Sequence, residues 1–176
     1  PFLSYDFLKN LEDANTIGKN TAWIPMYISI SSKSEVLAFI PLYMKLDSQG
    51  EYVFDHSWAN AFYNAGGEYY PKIQASIPFT PVSGNRILIK ENIKDNLIHE
   101  IIINSAKYIE NLVDKNKLSS AHITFCTNKE QSILSNSNFI TRIGEQYHWK
   151  NEKYSTFGEF LNNLSSRKRK AINKER

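Results

Sequence analysis

The sequence predicts an α/β chain of the α+β kind, with a central mixed sheet carrying helices on both faces. Three observations lead there. Residues 24–54 break into apolar stretches of strand length separated by turn residues. Residues 94–115 sustain a helical apolar period. Short strand-like segments then lie on both sides of that helix. Strands first, then strand, helix and strand again, is an order that assembles a mixed sheet with covered faces.

Taken in order, Ser4 is placed to cap a helix from Tyr5 to about Ala14, with Asp6 near its positive end and Phe7, Leu8 and Leu11 as its apolar side. Residues 24–31 alternate Ile24, Met26, Ile28, Ile30 with polar or small neighbours, a half-buried strand. Residues 31–35 form a turn. Residues 36–46 are nearly all apolar and predict a central strand, bent or bulged at Pro41. A third strand over 51–54 would complete an antiparallel meander. Asp55 or Ser57 caps a helix that Gly66-Gly67 ends. Strands are expected at 72–79 and 86–89, joined through Pro78, Pro81 and Gly84. The long helix presents Ile98, Ile101, Ile102, Ala106, Ile109, Leu112 and Val113 on one side. A strand at 121–126, a short helix at 129–134, a strand at 139–149 and helices over 156–164 and 165–176 complete the reading.

At 176 residues the chain suits one domain with a real core, and 41% hydrophobic against 22% charged residues excludes wholesale disorder. No apolar run has the length of a membrane span, and no signal peptide is visible in the residues present. The lone Cys126 excludes an internal disulfide and fits a reducing compartment, so a cytoplasmic location is expected. Its apolar neighbours suit a buried, inert thiol. With no initiator methionine and an end inside a charge run, the chain reads as part of something longer. Residues 165–176 hold six Lys/Arg against one Glu, a net +5, whereas the other 164 residues hold 15 against 17, a net −2.

The densest chemistry lies in residues 50–86. Rings that carry hydroxyls or N–H groups alternate there with a few charges and stiff Pro/Gly corners, a composition suited to a concavity that is apolar in body with fixed polar points. It equally suits a core hairpin with amphipathic rim tyrosines. The rings and charges of 55–86 are expected to converge, with Tyr69, Tyr70 and Lys72 on the wall. Asp55 is a helix cap or an acid/base group. His148, in the run Gln146-Tyr147-His148-Trp149, is a general base or a satisfied edge histidine. Substrate-binding candidates are Trp58, Tyr69, Tyr70, Lys72, Thr80, Arg86 and Trp149. Arg167, Lys168, Arg169 and Lys170 repel one another on one helix, which a phosphate-bearing partner would relieve; the plainer role is a solvated basic helix. No metal site is expected, because the four histidines are scattered and one cysteine cannot build a zinc site. A nucleophile elbow of the Gly-x-Ser-x-Gly type is absent, and so is a glycine-rich phosphate cradle in the 90–95 link.

Several runs carry a family resemblance. They are Pro1-Phe2-Leu3-Ser4, Pro41-Leu42-Tyr43-Met44-Lys45, Gly50-Glu51-Tyr52-Val53-Phe54-Asp55 with Trp58-Ala59, and Tyr69-Tyr70-Pro71-Lys72. Pro78-Phe79-Thr80-Pro81-Val82-Ser83-Gly84-Asn85-Arg86, Ser119-Ser120-Ala121-His122, Gln146-Tyr147-His148-Trp149 and Ser165-Ser166-Arg167-Lys168-Arg169-Lys170 continue it. Together they resemble the FemAB-like peptidoglycan biosynthesis/recognition proteins, predicted N-acyltransferases of the GNAT superfamily. The resemblance implies a GNAT-like acyl-CoA N-acyltransferase fold over 1–164, with the basic helix 165–176 leading into a C-terminal half. It implies acyl-CoA or aminoacyl-tRNA as donor, bound mainly by that other half, and a small-molecule or peptide amine as acceptor. A tRNA or a nucleotide-linked substrate is then a possible partner. Two roles follow for this chain: the acceptor-binding surface of an N-acyltransferase, or a noncatalytic domain that binds a phosphate-bearing ligand or RNA. The missing cradle at 90–95 predicts that the chain alone does not bind acyl-coenzyme A.

Overall fold

Helix α1 (Tyr5–Asp13) starts where its cap predicts. Ser4 is extended, its Oγ accepts from the Phe7 N–H, and Asp6 lies in the first turn. The next two arms of the chain form one long antiparallel hairpin, each arm broken once. Strands β2 (Ile28–Ser32) and β3 (Glu35–Ile40) pair near its tip, while β1 (Trp23–Pro25) and β4 (Leu42–Lys45) pair near its base. At the break, Met26 N donates to Leu42 O at 2.8 Å. Pro41, with no N–H to give, ends β3, so the predicted single strand over 36–46 becomes two strands in different sheets. The computed structural model describes residues 1–49, 51–52 and 55–176. The expected third strand of the meander is not formed at Glu51 or Tyr52, and Val53 and Phe54 lie outside the described residues.

The second neighbour of β4 is instead β5 (Lys72–Ala75). Its parallel partner is β7 (Ala121–Ile123), giving a mixed sheet in the order β1-β4-β5-β7. A second, antiparallel sheet has the order β2-β3-β6, where β6 is Leu88–Ile89. All three later strands are shorter than the sequence suggests. Pro78 and a left-handed Phe79 (φ 59°) turn the chain after β5, and a left-handed Phe125 (φ 54°) turns it after β7. The N–H groups of Arg86 and Ile87 are taken by the Glu130 carboxylate, which keeps them out of the β6 ladder.

Alternation gives the mixed sheet two unlike faces. Ile24, Leu42, Met44, Ile73, Ala75, Ala121 and Ile123 share one face by register. Against it pack Ile101, Ile102, Ala106 and Ile109 of α3 (Asp95–Asn116), and Leu134 of α4 (Asn128–Leu134) joins that core. Each isoleucine buried this way contributes about 1.5–3 kcal/mol. Helix α4 is fixed by a reciprocal capping box between Thr127 and Glu130. The other face of the sheet carries Trp23, Lys45 and Lys72 in one row and Pro25, Tyr43, Gln74 and His122 in the next. Leu11 of α1 packs there against the Ile17, Trp23 and Tyr43 cluster, so helical segments do cover both faces. Helix α2 (His56–Asn64) ends before Gly66, whose φ of 84° glycine adopts without penalty.

The described residues divide into two units, Pro1–Thr141 and Arg142–Arg176. In the second, α5 (Phe157–Asn162) is capped by Thr156, and α6 (Ser166–Glu175) begins at Ser165 without a side-chain cap bond. The expected strand over 139–149 is not formed: those residues are irregular, and Ile140, Ile143 and Tyr147 are 90% or more exposed. Their alternation meets no ladder partner among the described residues, and alternation without a partner does not make a strand.

Candidate functional site

Pairing β1, β4 and β5 places Lys45 directly opposite Lys72, both fully buried. Two ammonium groups facing each other across a ladder repel unless carboxylates are brought to them. The segment after β4 supplies both. Asp55 Oδ2 lies 2.5 Å from Lys72 Nζ, and Glu51 approaches Lys45 Nζ at 3.3 Å and Lys72 Nζ at 3.9 Å. The four side chains are at most 3% exposed. Two positive and two negative groups thus form one buried, charge-balanced cluster.

Hydroxyls complete part of it. Tyr69 OH donates to Asp55 Oδ2 at 2.8 Å, Lys72 Nζ donates to Ser48 Oγ at 3.3 Å, and Ser48 Oγ lies 2.5 Å from Tyr70 OH. The Lys45 ammonium sits 3.6 Å above the Trp23 ring, a desolvated cation–π contact. Asp55 occupies the cap position of α2 but makes no cap bond; its carboxylate turns to Lys72 and Tyr69 instead. Burial pushes the Asp55 carboxyl up, yet the Lys72 ammonium and the Ser48 and Tyr69 hydroxyls together bring it down to about 2. A group that acidic is ionised throughout the physiological range and is a poor base. Burial pulls Lys45 down to about 8, partly resisted by Glu51, and burial also raises the Glu51 carboxyl. Lys45 therefore changes charge close to neutral pH.

Beside the cluster is a small depression lined by Trp23, Glu51, Gln74, Ser76, Phe79 and Thr80, among others. Gln74 gives its Nε2 to Ser76 Oγ at 3.1 Å, while its Oε1 accepts nothing among the described residues. The Glu51 oxygens, Asp55 Oδ1 and the donors Trp23 Nε1 and Lys45 Nζ also lack a hydrogen-bond partner there, Lys45 and Glu51 meeting only as an ion pair.

The predicted site residues are distributed as follows. Asp55, Tyr69, Tyr70 and Lys72 come together, and Thr80 borders the neighbouring depression. Trp58 is 60% exposed on α2. Arg86 is not part of the expected convergence. It is fully buried, and its guanidinium is held by the carbonyls of Val82, Gly84, Asn85 and Thr124. His148 and Trp149 belong to the second unit. There His148 Nε2 bonds Gln146 Oε1 at 3.0 Å, and Trp149 meets Phe160 edge-on at 5.8 Å. Arg167, Lys168 and Lys170 are exposed on α6, whereas Arg169 is half-buried and bonds Asn162 Oδ1 and Leu164 O. No group of three or more possible metal ligands occurs among the described residues. Lys45, Glu51, Ser48 and Gln74 complete the cluster and its rim, and the sequence reading did not select them. A lysine inside the apolar run 36–46 was the available signal for the first, because such a residue needs a buried counter-ion.

The profile of the FemAB-like family, described as peptidoglycan biosynthesis/recognition, matches residues 1–176. The chain belongs to the FemAB-like family. No curated protein and no solved structure matches it. The GNAT-like form of the fold is thus an expectation of the resemblance, whereas mixed α/β architecture is what the FemAB-like chain displays. No helix among its described residues is long and apolar enough to cross a membrane.

Proposed function

We propose that this FemAB-like chain serves acyl or aminoacyl transfer to an amine of a cell-wall peptide precursor, and that the polar face of its mixed sheet is the acceptor-binding surface. The observation that carries the reading is the buried Lys45–Glu51–Lys72–Asp55 cluster next to a depression bordered by polar atoms, both donors and acceptors, without partners among the described residues. Four buried charges carry a desolvation cost that apolar residues in the same positions would avoid.

Transfer requires an uncharged amine, a route for its proton and donors for the developing oxyanion. Glu51 lies between the depression and Lys45, and the lowered pKa of Lys45 makes its neutral amine available to take, through the Glu51 carboxylate, the proton that leaves the acceptor. Lys72, held by Asp55, supplies fixed positive charge, and Tyr69 is oriented by the same carboxylate. Asp55 acts by holding these two groups, not by titrating. The N-terminal end of α3 does not fit a coenzyme pyrophosphate. The 90–95 link has no glycine, and Asp95 puts a carboxylate in the first turn, paired with Lys129 at 3.0 Å. No step of the reaction runs through that end. A second reading rests on α6, where Arg167 and Lys170 lie exposed one turn apart: a binding domain for a phosphate-bearing ligand or RNA.

The test is transfer, by the full-length protein, of labelled aminoacyl groups from aminoacyl-tRNA, and of acyl groups from acyl-CoA, to a muramyl peptide precursor. Wild type should transfer from one of the two. Lys45→Met should cut the rate by about 10²–10⁴, the span of a lost general base. Absence of transfer from both donors overturns the reading.

A further inference from the structure

Ser120 and His122 form a pair that the buried cluster does not use. Ser120 directly precedes β7 and His122 lies within it, so alternation raises both side chains from one face. That face is the polar one, since Gln74 is the ladder partner of His122. Among the described residues β7 is an edge strand with β5 as its neighbour, and Ser120 and His122 are both half-buried, so a reactant can approach them from solvent. Ser120 Oγ lies 3.0 Å from His122 Nε2, within the reach of a nucleophile and its base. The imidazole is also positioned. The Tyr69 ring meets it edge-on, 6.2 Å away at 88°, and Tyr69 OH is in turn held by Asp55 Oδ2 at 2.8 Å. Ser119 Oγ donates to the Tyr69 carbonyl, which ties the residues before β7 to the same tyrosine. A hydroxyl, a base within bonding distance and a third group that orients the base are the parts of an activated nucleophile, whatever their order in the chain.

We propose that Ser120 is an acyl-accepting nucleophile with His122 as its base, and that it carries the acyl group of an activated ester or thioester before the amine receives it. The inference rests on the acyl-transfer reading and adds a covalent carrier to it. In the first half, Ser120 Oγ bonds the acyl carbon while its proton passes to His122 Nε2. The bond from that carbon to the leaving oxygen or sulfur breaks, and the leaving group takes the proton from His122. In the second half, the acceptor amine, already freed of its ammonium proton, bonds the same carbon. The ester bond to Ser120 breaks, and the proton shed by the nitrogen returns through His122 to Oγ. Nε2 must accept in the first step, so the neutral imidazole carries its proton on Nδ1. Tyr69 and Asp55 are positioning residues in this scheme, because they act through the imidazole.

The experiment treats the full-length protein with p-nitrophenyl acetate. Wild type should release p-nitrophenolate in a burst of about one equivalent per chain, the mark of an accumulating acyl-enzyme. Mass spectrometry should place the acetyl group on Ser120, and hydroxylamine should remove it, as it removes an ester but not a lysine amide. Ser120→Ala should lose both burst and label. Ser120→Cys keeps a nucleophile at the same position and should acylate, which separates lost chemistry from lost fold. His122→Gln should still label Ser120, but about a hundredfold more slowly. No burst from wild type, a label confined to other residues, or an unchanged rate in His122→Gln each overturns the nucleophile. Acetyl-Ser120 formed by a protein that transfers from neither aminoacyl-tRNA nor acyl-CoA would leave the dyad standing and defeat the transfer reading. Transfer at the wild-type rate by Ser120→Ala would do the reverse.

Discussion

Two buried charged centres lie in the first unit, and they are finished to different degrees. Around Arg86, every listener has a speaker: the guanidinium gives to four carbonyls, while Glu130 receives the N–H groups of Arg86, Ile87 and Thr127. Around Lys45 and Lys72 the charges are matched but several carboxylate and amide oxygens are not. A buried ion with a complete set of partners holds a loop in place. One with partners to spare holds something else. Arg86 attracted functional interest from its sequence position and turns out to fasten the 82–85 turn to the chain after β7.

The sharpest way to test this contrast is to remove one member of each centre. Arg86→Met takes the donor from four part-buried carbonyls, and should destabilise the fold by about 3–5 kcal/mol in urea unfolding, the range for breaking a buried charge arrangement. Gln74→Leu, which removes the unpartnered Oε1 and one neutral bond to Ser76 Oγ, should cost about 1 kcal/mol. Comparable losses at the two positions would erase the distinction.

A smaller effect should appear with pH. The Asp55 carboxyl titrates near 2 when folded and near its ordinary value of about 3.9 when unfolded. The unfolded chain therefore binds the proton first as pH falls, so the contribution is fully present above about pH 4 and lost towards pH 2. The shift corresponds to about 2 kcal/mol. Unfolding of wild type and Asp55→Asn across pH 2–6 should show a gap that narrows at the acid end; a gap independent of pH would mean that the Lys72–Asp55 pair contributes no pH-linked stability.

The smallest stability effect belongs to the second unit. Arg167→Gln with Lys170→Gln should change stability by less than about 0.5 kcal/mol, as exposed charges do. If α6 meets phosphates, the same pair should lower the salt dependence of binding to bulk transfer RNA by about one contact each. An unchanged salt slope would leave α6 as a solvated helix.

Much of the architecture was legible from periodicity: α1 from its cap, α3 from its apolar stripe, the hairpin from alternation and its bend from Pro41. Residues 139–149 were misread because alternation reports a face and not the partner that must receive it. The site was half legible. Tyr69, Tyr70, Lys72 and Asp55 stand in one conspicuous stretch, but the lysine opposite them does not. Lys45 reached the cluster through β-ladder register, which a single sequence does not display. Glu51 stood in view among the charges of 50–86, yet nothing local told it apart from a solvated carboxylate.

The bend at Pro41 also makes the chain intolerant of small changes in length. Three residues separate that proline from Lys45, and β4 lies between an oily face and an ionic one. Adding or deleting a single residue in this interval would turn the strand over, sending the ammonium toward Ile73 and α3 and a thioether or leucine toward the carboxylates. Loops elsewhere in the molecule can grow or shrink at modest entropic cost. Here the spacing works as a ruler, and an in-frame gain or loss of one codon would be felt as the loss of both faces at once.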